Sequence, residues 1–446
     1  MLPTFDLATQ AGRAAFDRRL DHLRQGLSGH GEWAAIAHDV VRDVRQRGDA
    51  AVVEVMRKFT DPGFAASRIR VTRDEIARAD ASLSGDLRAA IESAIDNVRA
   101  YQRHVMPTPP EPITLAGAEL GMRWSAMPSA GLLVPGGSAV LFSSVIMLAV
   151  PALVAGVPAE RLAVVSPPPT LRNDASATRG DASPDISPIT LAVCHMLGIG
   201  KVYRIGGPAA VAALACGTAS VDPVAFIAGP GHPVTQAAKL QVAGEVGIDG
   251  VYGASEVTVL ADAVADPARV AADLLAQAEH DPGKCFLVCW EASVLERVNA
   301  AVAEQLAGQP RRAAIEASLM DDSAAVLCAD EDEAAAVADR IACEHVTLAV
   351  ADPRRWLDKL RHGGEFFLGD ATPVAAGDYY AGPSHCLPTG TTARFSSGVS
   401  VYTFLKRSGT VQYPATMPPE AIHHIAAMAT AEGLPAHAAS VEQRRP

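Results

Sequence analysis

Apolar positions recur at helical spacing from Trp33 to Lys58 and again from Asp74 to His104, with Pro62-Gly63 closing the first run. Between them Arg68–Val71 reads as a short strand. The cluster Pro107-Thr108-Pro109-Pro110-Glu111-Pro112 forbids helix and reads as a linker and domain boundary. Beyond it, strand-like runs at Gly131–Val134, Leu162–Val165, Val202–Ile205 and Val224–Ile227 each lead through a Gly or Pro turn into a helical segment. A second series follows at Val257–Leu260, Cys285–Trp290, Ala324–Leu327, Val346–Val350 and Glu365–Leu368, separated by Ala-rich helical stretches. This β-α repetition predicts an α/β protein with two Rossmann-like parallel-sheet domains and helical N- and C-terminal extensions. It also places a ligand crevice at the carboxyl ends of the strands. The expected division is an N-terminal helical arm over 1–26, a discontinuous first α/β domain over 27–131 and 255–400, a second over 132–254, and a C-terminal helical extension over 401–446.

Composition narrows the partners. The 446 residues carry 50 acidic against 38 basic side chains, a formal charge of −12, so no field draws nucleic acid or anionic lipid. The longest apolar stretch, Ser144 to Val157, contains Pro151 and is too short for a bilayer, and the start M-L-P-T-F-D-L-A has no signal-peptide pattern. Seven cysteines without framework spacing fit a reducing compartment, so the expectation is a cytoplasmic protein with a small-molecule partner. Cys285 and Cys289 flank Phe-Leu-Val in a strand and read as core, not as a zinc ribbon. The polar tract Ser166–Ser187 is longer than the usual connection.

Candidate chemistry starts in D-L-L-A-Q-A-E-H-D-P, Asp273–Pro282, where Gln277 and His280 lie three residues apart at the end of a predicted helix. An amide oxygen and an imidazole on one face can grip one divalent ion; the same pattern also describes the polar end of an ordinary amphipathic helix. Further polar groups follow in Cys343-Glu344-His345, Ala376-Gly377-Asp378, Ala381-Gly382-Pro383-Ser384-His385 and the isolated His437. The turns Val134-Pro135-Gly136-Gly137-Ser138, Ile205-Gly206-Gly207-Pro208 and Ala228-Gly229-Pro230-Gly231-His232 can present N–H groups to a phosphate, yet none is the G-x-G-x-x-G fingerprint. The C-terminal helix at Pro419–Glu432 can dock on a neighbouring subunit and deliver His437 in trans.

Taken in order, V-P-G-G-S-A at Val134–Ala139, A-G-P-G at Ala228–Gly231, A-S-E-V at Ala254–Val257, D-L-L-A-Q-A-E-H at Asp273–His280, E-H at Glu344-His345, A-G-D-Y at Ala376–Tyr379, H-C-L-P-T at His385–Thr389 and E-G-L-P-A-H at Glu432–His437 resemble the histidinol dehydrogenase family over nearly the whole chain. The resemblance implies a zinc-dependent homodimer with shared active sites that oxidises an amino alcohol, L-histidinol, through its aldehyde to L-histidine with two NAD. It carries the Zn2+ ligands onto Gln277, His280, Asp378 and His437, further substrate contacts onto Ser255 and Glu432, and the paired bases onto Glu344 and His345, with His345 also at the substrate. The cofactor-binding positions fall on Leu133, Ala209 and His232, where the family pattern has a Tyr, a Gln and an Asn; two hydrogen-bonding side chains are thereby lost outright, which predicts a weakened hold on NAD. Ser384 also stands where the pattern has Asn, and Tyr252-Gly253-Ala254-Ser255 where it has Ala-Gly-Pro-Ser. Competing readings are a relative with another alcohol substrate or acceptor, a redox-silent zinc-dependent binding protein, and a zinc hydrolase. The pair Glu344-His345 argues against the second, and three glycine turns facing one crevice against the third.

Overall fold

The computed structural model describes residues 2–24, 31–136, 140–169, 185–280 and 282–445. The chain opens with β1 (Thr4–Asp6) and α1 (Gln10–Arg24), followed by α2 (Glu32–Arg47), α3 (Asp49–Phe59), α4 (Arg73–Ala81) and α5 (Gly85–His104). Next come β2 (Ile113–Leu115), β3 (Ala118–Ala126), β4 (Ala130–Leu133), α6 (Ser143–Ala155), β5 (Leu162–Val165), α7 (Pro188–Met196), β6 (Lys201–Tyr203), α8 (Gly207–Cys216), β7 (Phe226–Ala228), α9 (Pro233–Val242) and β8 (Gly247–Ile248). The second series runs β9 (Glu256–Ala261), α10 (Pro267–Ala278), β10 (Lys284–Cys289), α11 (Ala292–Leu306), α12 (Arg312–Asp321), β11 (Ala324–Leu327), α13 (Glu331–Ile341), β12 (His345–Ala349), α14 (Pro353–Leu357), β13 (Glu365–Leu368) and α15 (Val374–Tyr379). The chain closes with β14 (Leu405–Gln412), α16 (Pro419–Ala431) and α17 (Pro435–Glu442).

Two wholly parallel sheets result, one in the order β6-β5-β4-β7-β8 and one in the order β1-β11-β10-β9-β12-β13. Their strands are apolar nearly throughout because helices cover both faces: β5 and β9 have no residue above the buried class. Helix α6, with eleven of its thirteen residues buried, is apolar all round for the same reason. Among the described residues no helix is long and apolar enough to cross a membrane.

Three sequence expectations meet a different structure. The long N-terminal runs are each broken, at Gly48 (φ 56°) and at Ser82–Ser84, where the Ser84 hydroxyl accepts the Leu87 N–H and starts a new helix. Residues 68–71 form a turn and a single bridge from Arg70 to Tyr203, not a strand. The region after the proline cluster is a ribbon: β2 and β3 turn at Ala116-Gly117, both at positive φ, and β3 pairs antiparallel with β14. Ala-Gly lacks the Asn or Asp that usually marks such a turn, and the partner strand lies more than 270 residues away.

The domain division also reads differently in the packing. Helices α2 and α3 share a core with α8 and α9 on one face of the five-stranded sheet, and α4 and α5 share one with α6 and α7 on the other. Helices over residues 32–104 therefore cover the 130–248 sheet, while α5 also holds the later chain through Asn97 to the Tyr380 carbonyl (3.1 Å) and Gln102 to the Val401 N–H (2.8 Å), so this segment touches both expected domains. A helix's apolar stripe specifies that it must be covered, not by what. The N-terminal arm adds an edge strand, β1, to the six-stranded sheet. Most of the Ser166–Ser187 tract lies outside the described residues, as do Gly137 to Ala139 of the first glycine turn.

Candidate active site

The candidate catalytic residues gather at the amino ends of the six-stranded sheet, the edge opposite to that expected for a ligand crevice. Ser255 and Glu256 open β9, Glu344 and His345 open β12, and Glu365 opens β13. Here the preceding helices α10 and α13 end, so their terminal carbonyls favour a cation; at the carboxyl ends of the other sheet, helix N-termini favour an anion. The two edges are joined through His385, whose Nδ1 lies 2.9 Å from the Asp378 carbonyl and whose Nε2 lies 3.1 Å from the Ser144 hydroxyl at the start of α6. Ser384 adds a bond from its hydroxyl to the Met147 carbonyl (2.9 Å).

Helix α13 ends in Ala342 at φ 50°, a left-handed conformation that costs a non-glycine residue free energy and turns the chain so that Glu344 and His345 enter the site. Both are buried, at 4% and 3% exposure. The Glu344 Oε1 atom accepts from the Ser255 hydroxyl and, at 2.7 Å, from the Glu256 N–H. His345 places Nδ1 3.1 Å from the Glu256 carbonyl, which only an N–H can satisfy, so the proton sits on Nδ1 and Nε2 is the free base. That Nε2 is buried without a hydrogen-bond partner, 3.8 Å from Asp378 Oδ1. Burial opposes a charge on the ring, but Glu344, then Asp378 and Glu365, outweigh it and push the His345 pKa up to about 9. These carboxylates favour the imidazolium, so with Asp378 free of metal the ring holds a proton at neutral pH, and Nε2 is the basic atom only of the neutral ring.

Two neighbours went unread in the sequence. Glu365 is the register partner of His345 on the adjacent strand, with a buried, unpaired Oε2 and a carboxyl that burial raises to about 7. Glu256 accepts the Gly390 N–H at 2.8 Å, and burial raises it to about 7 as well. The available signal was a Glu at the first position of an otherwise apolar strand. His385 was visible only as part of a motif; its bridging role depends on Ser144, 241 residues away.

Of the candidate metal ligands, Gln277 sits on the last turn of α10, with both amide atoms buried and partnerless. The helix ends at Ala278, so His280 lies just past it, its backbone N–H on the Gln277 carbonyl (3.2 Å) and Nδ1 3.3 Å from the same oxygen, which leaves Nε2 outward. Asp378 on α15 faces His345. The orphaned buried amide of Gln277, the imidazole of His280 and the carboxylate of Asp378 are donor types that fit zinc. His437 and Glu432 are exposed on the α16–α17 pair, whose helices pack chiefly on each other. Among the described residues no three His, Cys, Asp or Glu side chains converge as metal ligands, so His280, Asp378 and His437 do not meet within one chain.

The three cofactor positions do share one edge. Leu133 ends β4, Ala209 lies in the first turn of α8 after β6, and His232 caps α9 after β7. Leu133 and Ala209 are buried in a common apolar cluster and offer no hydrogen bond. His232 accepts the Val234 N–H on Nδ1 (3.4 Å) and packs edge-on against Trp33 with ring centroids 4.8 Å apart, which leaves an N–H on Nε2. At Gly207 (φ 63°) an added Cβ would meet only open space, so backbone there is free to face a ligand. The backbone at this edge is open, while the Leu133 and Ala209 side chains offer no hydrogen bond.

Comparison with known proteins adds an independent line. The sequence profile of the histidinol dehydrogenase family matches residues 25–445. The histidinol dehydrogenase of Cereibacter sphaeroides is 43% identical over 415 residues, covering 92% of this chain and 91% of that protein, and the Ruegeria pomeroyi enzyme is 43% identical over 92% of both chains. The crystal structure of histidinol dehydrogenase from Elizabethkingia anophelis superposes with a TM-score of 0.88 at 31% identity, covering 99% of this chain and 98% of that one.

Proposed function

Since this chain belongs to the histidinol dehydrogenase family, whose members are NAD-linked oxidoreductases of histidine biosynthesis acting through alcohol and aldehyde steps, we propose that it oxidises L-histidinol to L-histidine at the Glu344–His345 centre. The observation that most supports this is His345 Nε2, a buried, unpaired base whose tautomer is fixed by the Glu256 carbonyl and which lies beside Asp378. In this reading Nε2 takes the substrate hydroxyl proton as hydride leaves the carbon, and Glu344 takes a proton from the water that adds to the aldehyde. Ser255, held by Glu344, contacts the substrate. Gln277, His280 and Asp378 of one subunit and His437 of its neighbour would hold zinc, which supplies a template for the substrate's imidazole and amine nitrogens. NAD, when bound, accepts the hydride. The test is purified protein with zinc, NAD and L-histidinol, followed at the absorbance of reduced nicotinamide. Two NADH per histidine are expected, and silence with histidinol alongside activity on another amino alcohol would replace the substrate.

The exposed α16–α17 pair supports sharing of the site between subunits. Mixing His280→Ala with His437→Ala subunits is expected to restore activity, because one of the two sites in the mixed dimer then has every ligand. No recovery in a proven heterodimer would refute sharing.

The cofactor edge makes its own demand. Two neutral hydrogen bonds lost at Leu133 and Ala209, at about 0.5–1.5 kcal/mol each, should weaken NAD by roughly one to two decades at about 1.4 kcal/mol per decade. The reference is a family member with Tyr and Gln at those positions. Calorimetry of the zinc-loaded proteins measures it, and equal affinity would show that backbone contacts carry the cofactor.

A further inference from the structure

We propose that Lys239 and Asp249 form a buried clamp that positions the Gly229 turn for the cofactor, so that the affinity for NAD, and not that for the alcohol substrate, depends on them. The inference rests on the reading of the carboxyl edge of the five-stranded sheet as the NAD edge. Lys239, on α9, and Asp249, just past β8, lie 2.5 Å apart, and both side chains are fully buried. Together they grip both polar groups of one residue. Asp249 Oδ2 accepts the Gly229 N–H at 2.6 Å, and Lys239 Nζ donates to the Gly229 carbonyl at 3.0 Å. The other Asp249 oxygen accepts its neighbour's N–H from Gly250 (2.9 Å), and the Tyr252 ring lies 5.0 Å from the Lys239 ammonium.

Taking two charges out of water is expensive, and well-packed apolar residues often serve stability as well or better. A buried pair whose contacts converge on a single residue is therefore better explained by what it holds. Gly229 stands at φ 118°, pressed so close to β4 that an added Cβ would lie 2.4 Å from the Leu133 carbonyl oxygen. Only glycine fits there, and glycine by itself is the residue least able to hold a conformation. The next residue, Pro230, has no N–H to help. The turn leads within three residues to His232, which caps α9 and is the one cofactor position whose side chain retains a donor. With Leu133 and Ala209 contributing no hydrogen bond, the cofactor depends on backbone placement, and the clamp sets that placement at β7.

The substrate side shares Tyr252 with α9, its N–H on Gln236 Oε1 at 3.1 Å, but beyond Tyr252 it has anchors of its own. The Gly253 N–H donates to the Thr389 hydroxyl at 2.6 Å, and Ser255 and the Glu256 N–H are fixed on Glu344. This separation distinguishes a positioning role from a merely structural one. Titrating zinc-loaded protein calorimetrically with NADH and with L-histidinol, Lys239→Met and Lys239→Met/Asp249→Asn are expected to weaken NADH by about tenfold, as loss of a charged hydrogen bond would. Histidinol affinity and zinc content should stay within about twofold. If the charge-neutral variants do not fold, Asp249→Glu keeps the ion pair, pushes the Gly229 turn outward and is expected to give the same selective loss. Parallel weakening of both ligands would overturn the proposal in favour of a structural pair, and unchanged NADH affinity in any folded variant would overturn it directly. A wild-type protein that binds no NADH would remove the reading beneath it.

Discussion

Replacing His345 by Asn is expected to slow histidinol oxidation by roughly 10²–10⁴-fold, the usual contribution of a positioned base. The protein should still fold, because Asn can donate to the Glu256 carbonyl that now pins Nδ1. Glu344→Gln is expected to act on the other half-reaction. Its Oε1 still accepts from Ser255 and Glu256, so the local structure survives, but the second oxygen, the one free to take a proton from water, is gone. Supplying the aldehyde directly separates the steps. His345→Asn should recover much of its rate with the aldehyde, and Glu344→Gln should not. Equal damage to both half-reactions in both variants would mean that the roles are not divided this way.

His280→Ala is expected to weaken zinc by more than the roughly 10–100-fold that loss of a supporting contact around a metal costs, and to abolish activity at micromolar metal. The Gln277 amide would then be left as a buried, unsatisfied group with no compensating ligand field. Metal analysis after gel filtration decides it: unchanged zinc content in His280→Ala would remove His280 from the ligand set. Chelation of the wild type should reproduce the loss, and added zinc should restore the wild type but not the variant. Because Asp378 Oδ1 is 3.8 Å from the base nitrogen, zinc removal should also change the environment of His345, so a shift of its ring resonances on chelation is expected.

Much of the fold was legible. Strands β4, β5, β9, β10, β11, β12 and β13 stand within a few residues of where apolar runs bounded by turns placed them. A strand buried on both faces must be apolar at every position, and its signal is local. What failed to read locally was set by distant partners. The β2–β3–β14 ribbon has exposed, mixed residues and no turn signature, and it exists because β14 pairs with β3 across the stretch of chain that holds the five-stranded sheet and nearly all of the six-stranded one. The helices over 32–104 show their apolar stripes plainly, yet only packing assigned them to the five-stranded sheet.

For the site, the sequence by itself determined which donors exist and in what local order: an amide and an imidazole at a helix end, an acid–base pair before a strand, and apolar residues at two positions where a cofactor wants polar ones. The first two follow from residue type and spacing; the third is what the family resemblance implies. Tertiary structure decided which atoms are free to act. It tied Nδ1 of His345 to a carbonyl from another strand, occupied Glu344 Oε1, brought Glu365 alongside, and set the candidate bases at the amino edge of one sheet facing the carboxyl edge of the other through Ser144, His385 and Asp378. The physical reason is that hydrogen-bond satisfaction and burial are properties of neighbours in space. A linear pattern fixes which face of an element must be covered, but a side chain's tautomer and its free lone pair depend on groups that the chain brings back from far away.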